Sequence, residues 1–256
     1  MIEPTWRSTH LKNEDGIIIG CNQLQEWLLP WWWKNYTRHN RFSVAFVDFG
    51  LSDEMKKWCK DRGELIQSPM IDHFVMDRDE IDPILAEKWE DHYGDQFWGY
   101  RKTWFQKPFA CLQSPFRRTI WLDNDCEVKK PLNPLFDTCD QPPNIALARD
   151  SNSASSSFPI YNSGVIAFLR GAPLIEEWAK KSLQRNDRYR GDQDLLSQII
   201  REQDIRVHEL PNIYNWPNYQ NVHPEVIICH WIGDLGKAFL HTQIILRDHR
   251  SVTGID

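Results

Sequence analysis

No two of the six cysteines form a Cys-x-x-Cys pair, and no stretch of 18 apolar residues occurs. The first absence argues against both a structural zinc site and a disulfide scaffold, so Cys21, Cys59, Cys111, Cys126, Cys139 and Cys229 are expected as reduced, buried thiols. The second leaves no candidate membrane span. The opening residues, Met1-Ile-Glu-Pro-Thr-Trp-Arg7, lack the charged-then-apolar pattern of a secretory signal, which points to a cytoplasmic protein. Blocks of basic charge are missing as well. With a net charge of −6 there is no field to draw a polyanion across a broad face, and nucleic acid is not an expected partner. Trp31, Trp32 and Trp33 have no accompanying basic stripe, so they suit helix packing or a sugar platform better than base stacking. A glycine-rich phosphate loop is also absent, because the residues after the first strand read Gly20-Cys-Asn-Gln23.

What is present is a large apolar inventory. The 256 residues are 41% hydrophobic and include 13 Trp and 12 Phe, enough for one sizeable core, and residues 1–256 are expected to form a single unit. Ile17–Cys21 is a short β-branched run of the kind found in fully buried parallel strands. Apolar residues at helical spacing follow from Gln23 to Thr37, with Pro30 expected to kink or restart that helix. Phe42–Val47 reads as a second strand, Ser52 as the N-cap of a helix that stops at Gly63, and Leu65–Ile66 as a short third strand. Such alternation predicts an α/β fold, a mainly parallel central sheet with helices on both faces.

From Ile71 to Gly99 the chain is acidic and aromatic, with a helix expected over Pro83–His92, a loop over Gly94–Gly99 and the whole suited to a lid or substrate loop. Tyr100–Leu112 reads as one helix and Arg117–Leu122 as a strand. After a short helical piece near Pro131–Phe136, Asn144–Ala148 and Ile160–Leu169 are expected strands, the second interrupted at Asn162-Ser-Gly164. Ser151–Ser157 reads as a flexible loop. Leu174–Gln184 and Asp192–Arg201 are expected helices. A Tyr- and Asn-rich turn between Pro211 and Pro217 leads to a last strand, Val226–His230.

Four clusters could carry chemistry. Asp123 and Asp125 end an apolar strand, where open α/β sheets present ligand-binding groups. Residues two apart on an extended strand share a face, so both carboxylates could reach one hard divalent ion, although an Asx turn explains an isolated Asp-x-Asp equally simply. His230 ends another strand and would complete an Asp, Asp, His set suited to manganese, with Lys237 placed to neutralise diphosphate oxygens. Gly164 within a strand signals a bulge or a close approach of backbone to ligand, and Asn162 beside it could bind hydroxyls. Gly191-Asp-Gln-Asp194 opens a helix, where Asp192 could serve as an N-cap or, with Gln193, bind sugar hydroxyls.

In this order, Leu-Asp-Asn-Asp, Tyr-Asn-Ser-Gly-Val, Asp-Gln-Asp, Leu210-Pro211 with Tyr214-Asn215, and His-x-x-Gly with a nearby Lys, the chain resembles the retaining glycosyltransferases of the glycogenin and bacterial lipopolysaccharide galactosyltransferase type (glycosyltransferase family 8-like). The resemblance spans roughly residues 17 to 240. It implies the GT-A fold, with a nucleotide-binding half over about 15–130 and an acceptor-binding half over about 131–245, and a nucleotide-diphosphate sugar donor, usually UDP-linked, used with Mn2+ or Mg2+. The acceptor, whether carbohydrate, lipid or protein, is not implied. Carried over by position, Asp123, Asp125 and His230 become metal ligands, and Gly233 and Lys237 contacts of the diphosphate. Asp192 and Gln193 become the catalytic carboxylate and amide, beside Asn162 and Ser163 at the donor sugar. Cys21 and Asn22 fall near the base, and Lys107 and Asn124 near the donor. Three features depart from the family pattern: Gly236 adds a residue before Lys237, Ala238-Phe239 replaces Pro-Trp, and Asn124 stands between the aspartates where the family usually has Ala or a similar small residue. A nucleotidyltransferase, or a catalytically inactive carbohydrate-binding protein on the same scaffold, is the competing reading.

Overall fold

The structure, a computed structural model, describes residues 11–68, 74–94, 96–150, 158–217 and 219–253. Its centre is a seven-stranded sheet. The first four strands, β1 (Asp15–Cys21), β2 (Ser43–Asp48), β3 (Glu64–Gln67) and β4 (Arg118–Leu122), are joined by parallel pairings in the order β3-β2-β1-β4. Two three-residue strands that periodicity does not reveal are β5 (Cys126–Val128) and β8 (His208–Leu210). The sheet continues through β7 (Tyr161–Leu169), β6 (Ile145–Arg149) and β8, with β7 antiparallel to both β4 and β6. The mainly parallel sheet is therefore as expected, with one reversed strand. The last strand, β9 (Ile228–His230), stands apart from the sheet and pairs with β5.

Burial on both faces follows from the β-branched runs. Ile17 and Ile19 join the apolar cluster on one side of the sheet with Val44, Phe46 and Ile120, while Ile18 joins the other side with Ala45, Val47 and Trp121. Helices α1 (Leu28–His39), α2 (Asp53–Lys60) and α6 (Asn133–Asp137) supply residues to the first cluster, and α5 (Lys107–Leu112), α7 (Pro173–Arg185) and α8 (Asp192–Glu202) to the second. Three helices remain. α3 (Pro83–Tyr93) and α4 (Phe97–Trp104) build a small satellite around Ile81, Trp89 and Phe97, and α9 (Gly233–Thr253) closes the described chain.

Local chemistry explains where the elements start and where expectation and structure part. Ser52 Oγ accepts from the Met55 amide at 3.2 Å, capping α2 as its sequence suggests. Pro30 neither kinks nor restarts α1. The helix begins at Leu28, so Pro30 falls in the first turn, where its missing N–H removes no intrahelical bond. Residues 97–99 are helical rather than loop, and the expected helix over Tyr100–Leu112 is two helices that break at Phe105–Gln106, just ahead of Pro108. β7 runs unbroken through Asn162–Gly164, but its register against β6 jumps between Leu147 and Ala148, so the irregularity is a bulge inside a continuous strand. The Ser151–Ser157 loop and residues 71–73 and 95 of the expected lid lie outside the described residues.

The chain passes from β1 to β2 on one side and has β4 on the other, so the direction of strand order reverses between β1 and β4. The crevice at the carboxyl ends of such a pair is where open α/β sheets bind ligands. Because β7 is reversed, its first residues lie at that same edge, with Val165 opposite Leu122. The turn into β3 lies tight against β2 at Gly63, where a Cβ would stand 2.2 Å from the Val44 carbonyl oxygen. Gly63→Ala is expected to lower stability by about 1–3 kcal/mol, since backbone must move to admit the methyl; an unchanged urea midpoint would show that the turn before β3 adjusts without cost.

Candidate active site

The crevice opens into a cavity of about 1130 Å³ lined by Asn22, Lys107, Asp123, Asn124, Asp125, Asn162, Ser163, Asp192, Gln193, His230, Gly233 and Lys237. Elements far apart in sequence thus bring twelve of the thirteen candidate residues to one space. Cys21 is the exception. It is buried behind the cavity wall, its thiol is pushed up by burial, and Asn124 is its hydrogen-bonding neighbour.

Asp123 and Asp125 converge by a turn and not by strand alternation. β4 ends at Leu122, and the Cys126 amide donates back to the Asp123 carbonyl at 3.0 Å, closing a tight turn around Asn124. The Asp123 amide donates to Gly164 O at 2.9 Å, fastening the turn to β7. His230 lies directly across β5–β9 from Cys126, which places its ring over the turn. Its Nε2 is 3.2 Å from Asp125 Oδ1 and 3.9 Å from Asp123 Oδ2. Ligand atoms bound to one octahedral ion at ~2.1 Å are about 3 Å apart, a spacing that Asp125 and His230 meet, while Asp123 stands farther off, outside the tight group that Asp125, Cys126 and His230 form. Cys126 Sγ belongs to the same tight group as Asp125 and His230, but burial, first, and the neighbouring aspartates hold its thiol well above the ordinary value, and it donates to Gly164 O at 3.7 Å. The thiol is thus engaged with the backbone of β7.

Two ammonium groups balance the carboxylates. Lys107 Nζ, on α5, is 3.1 Å from Asp123 Oδ1, 3.3 Å from Asp192 Oδ2 and 3.0 Å from Ser163 Oγ. Burial alone would lower the Lys107 ammonium, but Asp123 and Asp192 raise it further than burial lowers it, so it stays charged. Trp121 Nε1 adds a 2.7 Å bond to Asp123 Oδ1. Lys237 Nζ lies 2.7 Å from Asp125 Oδ2. Burial would raise the Asp125 carboxyl, yet Lys237 and His230 together hold it well below the usual carboxylate range. The residue added at Gly236 is accommodated because Gly233 and Lys237 lie in one helix four positions apart, and i and i+4 share a face.

Asp192 is not an N-cap. Gly191 occupies that position without a side-chain bond, and the Asp192 carboxylate instead accepts from Ser163 Oγ at 2.9 Å and from Lys107. Burial pushes its carboxyl up, and Lys107 offsets only part of that. Gln193 Oε1 accepts from the Ser163 amide at 3.2 Å, and its Nε2 donates to Asp150 Oδ2 at 2.7 Å. Asn22 Nδ2 donates to Thr103 Oγ1 at 3.0 Å, tying the end of β1 to α4, and Asn124 Nδ2 donates to Gln25 O at 3.4 Å.

Residue-by-residue reading passed over several contributors. Asp150, Arg190 and the aromatic pair Tyr100 and Trp104 line the cavity, the two rings stacked at 6.3 Å. Buried Asn215 is bonded to His230. Of these only Asn215 carried a sequence signal, its place in the Leu-Pro and Tyr-Asn order.

Lys107 is the shared partner of two buried carboxylates, and Lys107→Met should cost about 3–5 kcal/mol near neutral pH by leaving them uncompensated. Without the ammonium the Asp192 carboxyl rises further above its unfolded value, so the folded variant holds a proton that the unfolded chain releases. Its stability should therefore recover as pH falls toward the ordinary carboxylate range. Urea titrations of wild type and variant at pH 5 and pH 8 read this directly; a deficit independent of pH contradicts it.

No family model matches the sequence, and no curated protein matches it by sequence. Solved structures do match by shape. The glycosyltransferase GlyE of Streptococcus pneumoniae TIGR4 superposes over 87% of this chain and 55% of its own, with a TM-score of 0.58 at 16% identity. The galactosyltransferase LgtC, solved with donor and acceptor sugar analogs, superposes over 88% of this chain and 94% of its own, with a TM-score of 0.56 at 13% identity. Mouse xyloside xylosyltransferase 1 matches over 87% and 97%, with a TM-score of 0.52 at 16% identity. The chain thus spans about half the length of GlyE and nearly all of LgtC. Likeness at this level of identity is a likeness of fold, and the fold it establishes is GT-A, in the form that resembles the LgtC type of glycosyltransferase.

Proposed function

We propose that this protein is a metal-dependent glycosyltransferase that moves a sugar, with retention of configuration, from a nucleoside-diphosphate donor, a UDP-sugar, to an acceptor hydroxyl. The observation that carries the reading is the placing of Asp123 and Asp125 on one turn at the switch point of a GT-A sheet, with His230 Nε2 3.2 Å from Asp125 and 3.9 Å from Asp123 and with Lys237 on the adjoining helix. Two carboxylates and an imidazole suit Mn2+, and Mg2+ less well because it prefers an all-oxygen shell.

When bound there, the cation would supply Lewis-acid stabilisation to the departing diphosphate. Every other role falls to the protein. Lys237, now neutralising Asp125, is placed to exchange that partner for diphosphate oxygens, and its position in the second turn of α9 keeps its ammonium at the cavity. Lys107, Asp192 and Ser163 form a preorganised group whose partners are already in place, so donor hydroxyls meet fixed dipoles rather than side chains that must reorganise. Gln193, held through Ser163 and Asp150, presents its amide beside that group. Asn22 and Asn124 stand at the end of β1, on the side proposed for the base. Absence of a glycine-rich loop after β1 counts against a nucleotidyltransferase, and the complete ligand set counts against an inactive scaffold.

Asp125→Asn replaces a carboxylate by a poor ligand while keeping its shape. The variant should fold, yet lose Mn2+-dependent release of UDP from the accepted donor by at least about a hundredfold, an amount within the range for a Lewis-acid contribution. A companion measurement is thermal shift: UDP should raise the melting temperature of the wild type only when Mn2+ is present. Full activity in Asp125→Asn, or equal stabilisation by UDP with and without metal, would sink the assignment.

A further inference from the structure

The residues behind His230 form a one-way chain of hydrogen bonds that begins at a backbone amide. Gly164 N donates to Asn162 Oδ1 at 2.8 Å. Asn215 Nδ2 donates to the same Asn162 Oδ1 at 2.8 Å. The other end of that amide, Asn215 Oδ1, lies 2.8 Å from His230 Nδ1. Asn162, Asn215 and His230 are each at least 94% buried, so water does not compete freely for these groups.

Direction in this chain follows from one atom that has no choice. A backbone N–H is always a donor, so the atom of Asn162 facing Gly164 must be the carbonyl oxygen. An oxygen cannot donate, so Asn215 must turn its NH2 toward Asn162, which leaves its own oxygen toward the ring. His230 Nδ1 must then carry the proton. Amide and imidazole orientations are ordinarily matters of assignment, but here each is dictated by the step before it.

We infer that Asn162 and Asn215 are positioning residues that fix a proton on Nδ1 of His230, so that Nε2 is the nitrogen turned to the Asp123 and Asp125 side of the cavity. Gly164 serves the same end sterically, because a Cβ there would stand 2.1 Å from His230 Cε1 and 2.7 Å from Nδ1. The bulge of β7 at Asn162–Gly164 therefore has a stated purpose: it aims one amide N–H at Asn162 and leaves room for the ring. With Oδ1 of Asn162 accepting twice, only its Nδ2 is left for any hydroxyl in the cavity. Histidine ligands in general bind best when the far nitrogen donates to a fixed acceptor, which sets ring orientation and raises the basicity of the ligating atom.

The consequence for metal affinity rests on the cation reading proposed above, whereas the proton on Nδ1 does not, and the experiment separates the two. In protein labelled with 15N-histidine, a two-bond 1H–15N correlation spectrum should show His230 with a proton on Nδ1; a bare Nδ1 overturns the inference. Mn2+ affinity, read by electron paramagnetic resonance, should fall about 10- to 100-fold in Asn215→Ala and in Asn162→Leu. Asn162→Asp keeps an oxygen to accept from both Gly164 and Asn215, so His230 should keep its proton on Nδ1 in that variant and lose the preference in Asn162→Leu. The same loss of the Nδ1 proton in the Asp and Leu variants would mark a packing role and overturn the proposal, and this pair decides the matter even if Asn215→Ala does not fold. A wild-type chain with the Nδ1 proton but no Mn2+ binding would refute the cation reading alone.

Discussion

A single buried ammonium, that of Lys107, holds the working edge of this protein together. It reaches the turn after β4 through Asp123, the bulge of β7 through Ser163, and the first residue of α8 through Asp192. Three elements that share no sequence neighbourhood are thereby referred to one point. An ammonium so enclosed is tolerable only because two carboxylates and two Ser163 oxygens replace its hydration, and each carboxylate is in turn tolerable because of it. The arrangement is already charged and oriented before anything binds.

A second ionic group, Lys237 with Asp125 and His230, stands across the same turn. Between the two groups, Asp123 and Asp125 face different cations while pointing into one cavity. The turn that separates them is closed by a backbone bond to Asp123 O and fastened to β7 by another. Carboxylate placement is therefore a property of the sheet edge, and the rigid strands on either side give it precision that a free loop would not have.

Much of the frame was legible in the residues. β-branched runs at Ile17–Cys21 and Phe42–Val47 name strands buried on both faces because nothing else disposes of so many adjacent apolar side chains. Ser52 announces its helix by the cap that it makes. Short strands were not legible, since three residues such as Cys126–Val128 carry no period. The break between α4 and α5 was hidden because apolar spacing continues across it. At the candidate site, residue types and order pointed to residues that meet at one edge, but Asp192 as a cap and the two aspartates as strand neighbours were local explanations, and packing against Lys107 and the Cys126–Asp123 turn bond replaced both.

By itself the sequence determined the class of fold, the inventory of groups with metal and hydroxyl chemistry, and the strand ends at which they would lie. Hydrophobic periodicity and strand-end position are local properties, and they survive without knowledge of what packs against what. Tertiary structure alone decided the reversal of β7, the pairing of β9 with β5, and which nitrogen of His230 faces the aspartates. The last depends on hydrogen bonds between residues as distant as Asn162 and Asn215, whose directions are set only when a bulged backbone amide and a buried side chain meet. The pair Asp123 and Asp125 was readable as chemistry from the start; that it is a fixed geometry is a fact of packing.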